Sequence, residues 1–245
     1  MIHPKKYIVV GATNGLGKVF AYKKLEEGHQ VAILGRKLTE KISSDKAQFF
    51  PIELLDRNNR KKVIENVLKW QNGIHHLIFC QRSRESNNNL NKEMEVGLHA
   101  THHIMELCRS HFLQEVSPSV VAVSSIASRF ILSDTVLEYH TSKAALENLI
   151  KWYGVNWGKY NIRVNAVVPG AVIKPESQNW YDQNPQVVAR KTKLIPLNRI
   201  AKAKEIAEII DFLCSEKSSI ITGQTIVADG GMSLMGHESI SKLLN

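Results

Sequence analysis

Short apolar runs alternate with amphipathic stretches along most of this chain of 245 residues. The apolar runs have the length of strands, and we expect strands at 6–10, 30–34, 48–52, 75–79, 119–124, 162–167 and 225–228. The amphipathic stretches have helical spacing, and we expect helices at about 15–27, 57–71, 93–114, 138–157 and 203–214. The alternation predicts an α/β fold, in which crossover helices join parallel strands into a doubly wound sheet with helices on both faces.

One domain is expected to account for the whole chain, residues 1–245. The length suits one large domain, and an apolar fraction of 43% supports a sizeable core. Neither an internal repeat nor a low-complexity linker divides the sequence. The long irregular stretch at about 172–196 contains KPESQNWYDQNPQ and is predicted to form a flap over a site, although a disordered loop would have the same pattern.

The composition limits the cellular setting and the partners. The apolar runs are too short to cross a bilayer and the N-terminus lacks the features of a signal peptide, so we expect a cytoplasmic protein with no membrane partner. Cys80, Cys108 and Cys214 are too few for a disulfide framework or a CxxC site, which predicts buried thiols and no metal. The net charge of +9 favours anionic partners, but the basic residues form no tract of the kind that nucleic-acid binding favours.

The segment YIVVGATNGLG, residues 7–17, runs from a predicted strand directly into three glycines. Gly11, Gly15 and Gly17 remove side chains where a helix should begin, which lets another group approach the backbone closely. A helix N-terminus presents unsatisfied N–H groups and the positive end of the helix dipole, and both favour an anion. We therefore predict a phosphate site at this turn.

The second predicted strand ends in VAILGRK, where Gly35 is followed by Arg36. In dinucleotide-binding folds an acidic side chain at this point binds the adenosine ribose, whereas a basic one accommodates a 2′-phosphate. Arg36 can pair with that phosphate in a bidentate fork, so the sequence favours NADP(H) over NAD. The alternative, that Arg36 and Lys37 are solvated loop charges, stays open.

Tyr139 and Lys143 in EYHTSKAALENLI lie four residues apart on one face of a predicted helix. Tyrosine is a weak acid, but a cation about 4 Å away in a partly screened site stabilises its phenolate by ~4 kcal/mol. Lys143 would thereby let Tyr139 act as a general acid or base. Taken alone, the pair is also typical of a helix surface. Upstream, the buried strand in SVVAVSSIAS ends in Ser124 and Ser125, whose hydroxyls should face the same crevice as the glycine turn and bind a substrate oxygen.

Together these motifs resemble the short-chain dehydrogenase/reductase family over nearly the whole chain. GATNGLG is similar to the family's TGxxxGxG cofactor turn, YHTSK to its YxxxK motif, and SS at 124–125 to its catalytic serine, with Ser125 the better match. NIRVNAVVPG resembles the strand and turn beside the nicotinamide, and the stretch from IPLNRIAKAKE to ADGG follows the family's C-terminal segment. The resemblance implies a Rossmann-type fold and an NADP(H)-dependent enzyme that interconverts a carbonyl and an alcohol, as a homotetramer or homodimer.

The resemblance also implies roles for individual residues. Ser125 would anchor the substrate oxygen, Tyr139 would be the general acid, and Lys143 would activate Tyr139 and bind the nicotinamide ribose. The implied cofactor contacts are Gly11, Thr13, Asn14, Gly15, Leu16, Gly17, Arg36, Glu53, Leu54, Tyr139, Lys143, Pro169, Gly170 and Val172.

Aromatic and basic residues in the predicted flap bear on the substrate. They are Trp180, Tyr181, Arg190, Lys191 and Lys193. This composition suits a small molecule with an apolar or ring-shaped part and an anionic handle, and acyl-carrier thioesters and sugar nucleotides both fit.

The chain departs from the family's pattern at several positions. Val10 replaces a threonine of the cofactor turn, CQRS at 80–83 replaces NNAG, and Lys174 replaces a threonine near the cofactor. Gly97 stands where the family has a catalytic asparagine, which holds a water in the proton path behind the lysine. These departures motivate an alternative function, a cofactor-binding sensor or scaffold with weak or lost catalysis.

Three histidines follow Gly97 on the same predicted helix: His99, His102 and His103. His99 is a candidate substitute for the missing asparagine, although a position two residues along a helix points elsewhere. The histidine spacing can bind zinc, but no carboxylate or thiol completes an obvious ligand set. A solvated or subunit-facing helix surface explains the cluster better.

Overall fold

The computed structural model describes residues 4–38, 42, 44–83 and 90–244. Within these residues the strands are β1 (Lys6–Val10), β2 (Gln30–Gly35), β3 (Ala47–Pro51), β4 (His76–Phe79), β5 (Ser119–Val123), β6 (Arg163–Pro169), β7 (Val172–Ile173), β8 (Ala201–Lys202) and β9 (Thr225–Ala228). Seven of them form one parallel sheet in the order β3-β2-β1-β4-β5-β6-β9, and β7 pairs with β8 separately. The predicted α/β doubly wound sheet is confirmed.

The helices of the described residues lie on both faces of this sheet. They are α1 (Gly15–Glu26), α2 (Arg57–Gln71), α3 (Leu90–Met94), α4 (Ala100–Cys108), α5 (Leu137–Asn156), α6 (Gln178–Gln183), α7 (Pro185–Lys193), α8 (Ala203–Cys214) and α9 (His237–Leu244). A π-helical turn, Glu95–His99, joins α3 to α4. None of these helices combines the length and the apolar character needed to span a membrane.

Local sequence explains several helix boundaries. The Asp56 side chain accepts hydrogen bonds from the backbone N–H groups of Asn58 and Asn59 at 2.8 and 3.0 Å, which caps the start of α2. The same helix ends at Asn72, whose φ of 51° is left-handed. Pro185 occupies the first turn of α7, where its missing N–H has no helical partner to lose.

Two apolar layers enclose the sheet. One face of the strands packs against α2, α4 and α5 through residues such as Ile64, Ile104 and Ile150, all of them fully buried. The other face packs against α1 and α8, with Phe20 and Ile210 fully buried. Because helices cover both faces, central strands such as β4 and β5 are almost entirely apolar.

The chain reverses its direction of winding between β1 and β4. From β1 the sheet extends through β2 and β3 on one side, and through β4, β5, β6 and β9 on the other. In open α/β sheets, ligands bind outside the carboxyl ends of the strands at such a switch point. The loops that follow β1, β4 and β5 therefore define the expected site.

Two expectations about secondary structure were wrong. The single helix expected at 93–114 is α3 and α4 with a π-helical turn between them, and its α-helical part ends at Cys108. The stretch at 172–196 is not irregular, because it contains β7, α6 and α7. Its short helices are rich in polar residues, and this hid their periodicity.

Candidate active site

A cleft of about 590 Å³ opens at the carboxyl ends of the central strands. The predicted site residues that line it are Gly11, Thr13, Asn14, Gly15, Leu16, Arg36, Glu53, Leu54, Ser125, Tyr139, Lys143, Pro169, Gly170 and Val172. They come from six separate segments of the chain, so the fold brings distant motifs into one cavity.

The glycine turn lets other parts of the chain approach its backbone closely. Gly11 has a φ of +78°, and a Cβ there would lie 2.6 Å from the backbone nitrogen of Gln81. Gly15 has a φ of +59°, which side chains rarely adopt. No acidic residue lies in the first turn of α1, and the Asn14 side chain makes no capping hydrogen bond. The first turn of α1 thus contains no carboxylate of its own, but the Glu176 carboxylate lies beside it, with Oε1 3.1 Å from the place of a Cβ on Gly15. A phosphate at this helix N-terminus would lie next to Glu176.

Gly17 does not line the cleft. It is buried beneath the turn, where a Cβ would overlap the backbone oxygen of Gly11 and lie 3.0 Å from both Ala12 Cα and Cys80 Cβ. Gly17 therefore allows α1 to pack closely against the end of β1.

The adenosine end of the predicted cofactor site lies beyond β2. Gly35, Arg36 and Glu53 line this part of the cleft, with Gly35 in contact with the Thr13 side chain. The Glu53 carboxylate accepts a hydrogen bond from the backbone N–H of Leu55 at 3.0 Å. Glu53 thus shapes its own loop as well as lining the cleft.

Tyr139 and Lys143 come from the first two turns of α5. The Lys143 Nζ atom lies 5.6 Å from the centroid of the Tyr139 ring and donates a hydrogen bond to the backbone oxygen of Val123 at 2.8 Å. Lys143 is 3% exposed, whereas Tyr139 is half-buried and open to the cleft. The cation is thus held in place between the phenol and the end of β5.

The two serines after β5 have different surroundings. Ser124 is buried and donates to Glu147 Oε1 at 3.0 Å. Ser125 is partly exposed, and its Oγ accepts from the backbone N–H of Ala127 at 3.2 Å, so its own O–H can donate to a ligand. This geometry favours Ser125 as the hydroxyl that faces a substrate.

The segment Cys80–Ser83, a departure from the family's pattern, has its own contacts. The buried Gln81 side chain donates to Thr101 Oγ1 at 2.8 Å and thereby ties the loop after β4 to α4. The Arg82 guanidinium carbon lies 5.0 Å from the centroid of the Tyr139 ring. Sequence reasoning noted the substitution at Arg82 but missed this contact with Tyr139.

The predicted substrate residues only partly reach the cleft. Lys191 lines it, whereas Arg190, Lys193, Trp180 and Tyr181 do not. The rings of Trp180 and Tyr181 instead stack edge to face, with centroids 5.1 Å apart. Further basic residues that sequence reasoning did not assign to substrate do line it, namely Arg82, Lys92 and Lys174.

The three histidines each have a different partner. His99 pairs with Glu95 at 2.8 Å on an exposed face, His102 with the Tyr153 hydroxyl at 2.6 Å. His103 accepts from Arg60 Nε at 3.3 Å. Among the residues described, no three or more His, Cys, Asp or Glu side chains group as metal ligands.

The three cysteines form no disulfide. Cys108 and Cys214 are buried, and burial raises the pKa of each thiol to about 12. Cys80 is half-buried and lines the cleft. The expected buried thiols are thus present at two of the three positions.

Gly97 lies in the π-helical turn and is buried. A Cβ at this position would overlap the hydroxyl of Ser142, the residue beside Lys143. The Gly97 carbonyl accepts a hydrogen bond from Thr101 Oγ1 at 2.9 Å. His99 faces Glu95 and not the cleft, so it does not take the place of a side chain at 97.

The chain is similar to known proteins in both sequence and structure. A family model described as enoyl-(acyl carrier protein) reductase matches residues 11–233. Glucose 1-dehydrogenase of Gluconobacter oxydans is 30% identical over 95% of this chain and 93% of its own. The 3-oxoacyl-[acyl-carrier-protein] reductase of Thermotoga maritima is 28% identical over 93% of this chain and 97% of its own. A short-chain dehydrogenase/reductase of unknown function from Caenorhabditis elegans, solved with cofactor, superposes with a TM-score of 0.79 at 27% identity, covering 96% and 97% of the two chains.

Proposed function

The chain belongs to the short-chain dehydrogenase/reductase family of oxidoreductases, and from this premise we propose that it is an NADP(H)-dependent enzyme that interconverts a carbonyl and a secondary alcohol. One observation carries the proposal. Tyr139 and Lys143 line the same cleft as the glycine turn, with Ser125 on the adjacent strand end. This arrangement supports the assignment of a proton donor, its cationic partner and an anion site to one cavity.

The residues present fit a nicotinamide dinucleotide. The turn from Gly11 to Leu16 lines the cleft and opens α1, whose first N–H groups would bind a pyrophosphate. Arg36 would pair with the 2′-phosphate, and Pro169 and Gly170 would border the nicotinamide. The cofactor, when bound, supplies or accepts the hydride of the reaction.

The chain's own residues would handle the proton. Ser125 would hold the substrate oxygen by a hydrogen bond, and the Tyr139 hydroxyl would donate its proton to that oxygen during reduction. The buried ammonium group of Lys143 would stabilise the phenolate that remains. In the oxidation direction the same groups would act in reverse.

The charge of the cleft supports a substrate with an anionic handle. Arg82, Lys92, Lys174 and Lys191 line it beside the predicted catalytic residues. The names of two relatives refer to a sugar and to an acyl-carrier thioester, and both classes stay open for this chain.

We also infer a cytoplasmic homo-oligomer, either a dimer or a tetramer. Trp152 and Val155, which α5 presents 57% and 80% exposed, support such an association.

The proposed function is tested by a carbonyl screen. Purified protein is mixed with NADPH and a panel of sugars, 3-oxoacyl thioesters, ketones and 2-oxo acids, and NADPH absorbance is followed. We expect oxidation of NADPH with at least one class. Absence of both NADPH binding and turnover across the panel would contradict the proposal.

Replacing Arg36 should change the cofactor preference. Loss of a charge-assisted contact with the 2′-phosphate costs about 1.5–3 kcal/mol, so Arg36→Ala should lower the preference for NADPH over NADH about 10- to 100-fold. The dissociation constants of both nucleotides are measured by fluorescence. Arg199→Ala, which removes an exposed arginine paired with Glu205 outside the cleft, is the control. An unchanged NADPH:NADH ratio in Arg36→Ala would contradict the assignment.

Replacing Arg82 should change the KM of anionic substrates but not that of neutral ones. For active carbonyl compounds that carry a carboxylate or phosphate, Arg82→Gln should raise KM about tenfold, since a charged hydrogen bond is lost. For neutral active compounds KM should stay the same. Steady-state kinetics with an anionic substrate and its neutral ester make the comparison, and equal effects on both would exclude Arg82 as the anion-binding residue.

A cofactor-binding sensor is the second candidate function, and the substitutions at Gly97 and Cys80–Ser83 favour it. It requires tight NADPH binding without turnover on any compound of the panel. The same screen therefore separates the two functions.

A further inference from the structure

The carboxyl group of Glu93 is buried beside the proposed active site without a complete set of partners. Glu93 lies on α3, one helical turn before Gly97, and is 7% exposed. Its Oε1 atom has no hydrogen-bond partner among the residues described. A buried carboxyl is unfavourable unless it is paired or protonated, so its presence here calls for an explanation.

Glu93 packs against the part of α5 that contains Lys143. Its backbone oxygen accepts a hydrogen bond from Ser142 Oγ at 3.4 Å, which brings α3 against the first turns of α5. Its Oε1 lies 3.8 Å from the point where a Cβ on residue 97 would stand. The Ser142 hydroxyl occupies the place of that Cβ, so glycine at 97 lets Ser142, the residue beside Lys143, pack next to the Glu93 carboxyl.

The charges that face the Glu93 carboxyl come from three segments. The cations are Lys143 of α5 and Arg82 of the loop after β4, and the acid is Glu138 at the start of α5. The backbone of Ser83 contributes a hydrogen bond. Burial raises the pKa of Glu93 above its ordinary value, Glu138 adds to the rise, and the two cations and the hydrogen bond offset it only in part. The carboxyl is therefore suited to hold a proton at a higher pH than an exposed glutamate.

We propose that Glu93 is a positioning residue that exchanges protons with Lys143 through an intervening water. The inference rests on the proposed function, because it assigns to Glu93 the resupply of the proton that Tyr139 gives to the substrate. It also explains why a buried carboxyl with an unpartnered oxygen packs against the segment that carries the catalytic lysine.

The proton balance is as follows. In reduction the Tyr139 O–H bond breaks and an O–H bond forms on the substrate oxygen. The phenolate takes a proton from the Lys143 ammonium, and the resulting amine takes one from the Glu93 carboxylic acid through an intervening water. The Glu93 carboxylate then recovers a proton from water, so Tyr139, Lys143 and Glu93 all return to their initial states.

Kinetics of Glu93→Gln provide the first test, with the carbonyl compound that the NADPH screen identifies. The amide keeps the shape of the side chain but carries no exchangeable acid, so kcat should fall about tenfold or more with KM unchanged. In the oxidation direction the Glu93 carboxylate must accept the proton, so wild-type kcat should rise with pH through the raised pKa of Glu93. This rise, the limb of the pH profile, should be absent from Glu93→Gln. Glu93→Asp, which retains a carboxyl, should keep the limb. Glu95→Gln, which removes a carboxylate of the same helical segment that pairs with Arg60, is the control and should keep the wild-type profile.

A titration provides a second test that needs no turnover. In protein labelled with ¹³C at glutamate Cδ, the Glu93 signal is assigned by its loss in Glu93→Gln. This signal should titrate above the ordinary glutamate range, and its midpoint should rise further in Lys143→Met, because the cation that lowers the Glu93 pKa is gone. An unchanged midpoint in Lys143→Met would overturn the inference whatever the activity.

Different results would overturn the proposed function and the role of Glu93. If Tyr139→Phe abolishes turnover while Glu93→Gln keeps both kcat and the pH limb, the proposed function stands and the role of Glu93 is overturned. If Tyr139→Phe retains full turnover, the proposed function itself is overturned, and the proton resupply assigned to Glu93 is overturned with it.

Discussion

Tyr139→Phe should lower kcat about 10³-fold while NADPH affinity stays nearly unchanged, because the substitution removes only the proton that general acid catalysis delivers. The ring remains, so its contacts with the Arg82 guanidinium and the Lys143 ammonium group persist. Turnover is measured by NADPH absorbance with the best compound of the panel, and NADPH binding by fluorescence.

Tyr160→Phe is the matched control, since Tyr160 is a partly exposed tyrosine that does not line the cleft. It should retain wild-type kcat. A Tyr139→Phe variant with kcat within about threefold of wild type would show that another group donates the proton, because general acid catalysis is worth at least 10²-fold.

Gly11→Ala should destabilise the fold and abolish NADPH binding together. The backbone at Gly11 has a φ of +78°, and an added Cβ would lie 2.6–2.8 Å from the backbone of Cys80 and Gln81. The neighbouring atoms are backbone and cannot rotate away, so the free energy of unfolding should fall by about 2–4 kcal/mol. Urea denaturation measures the loss, and fluorescence titration measures NADPH binding.

Gly158→Ala is the control for this substitution. Nothing lies within 4 Å of a Cβ at residue 158, and its φ lies outside the left-handed region. This variant should unfold within about 1 kcal/mol of wild type and bind NADPH normally. If Gly11→Ala behaved in the same way, close approach at the turn would not be the reason for the glycine.

The main sheet could be predicted from sequence because its strands are buried on both faces. Runs such as YIVV at 7–10 and VVAV at 120–123 are apolar, and glycines or polar residues end them clearly. The π-helical turn at Glu95–His99 could not be predicted, since it depends on packing against Ser142 of another helix. Helices α6 and α7 were missed because neither contains a buried residue.

Site residues could be predicted from the sequence where they belong to a short motif. The glycine turn and the Tyr139–Lys143 pair depend on short spacings, which a sequence shows directly. Glu93 and Arg82 were missed because their positions depend on how the loop after β4 meets α5. In the sequence, Glu93 is one more charged residue in KEME, and only its burial distinguishes it from its neighbours.

The overlap between Ser142 and a Cβ at position 97 has an evolutionary consequence. A descendant of this chain that acquired asparagine at 97 would first meet the Ser142 hydroxyl, which would have to rotate or be lost. A change at 142 would therefore make a change at 97 easier to accommodate, so the two positions are structurally coupled. Covariation of these two positions among close homologues is the expected trace of that epistasis.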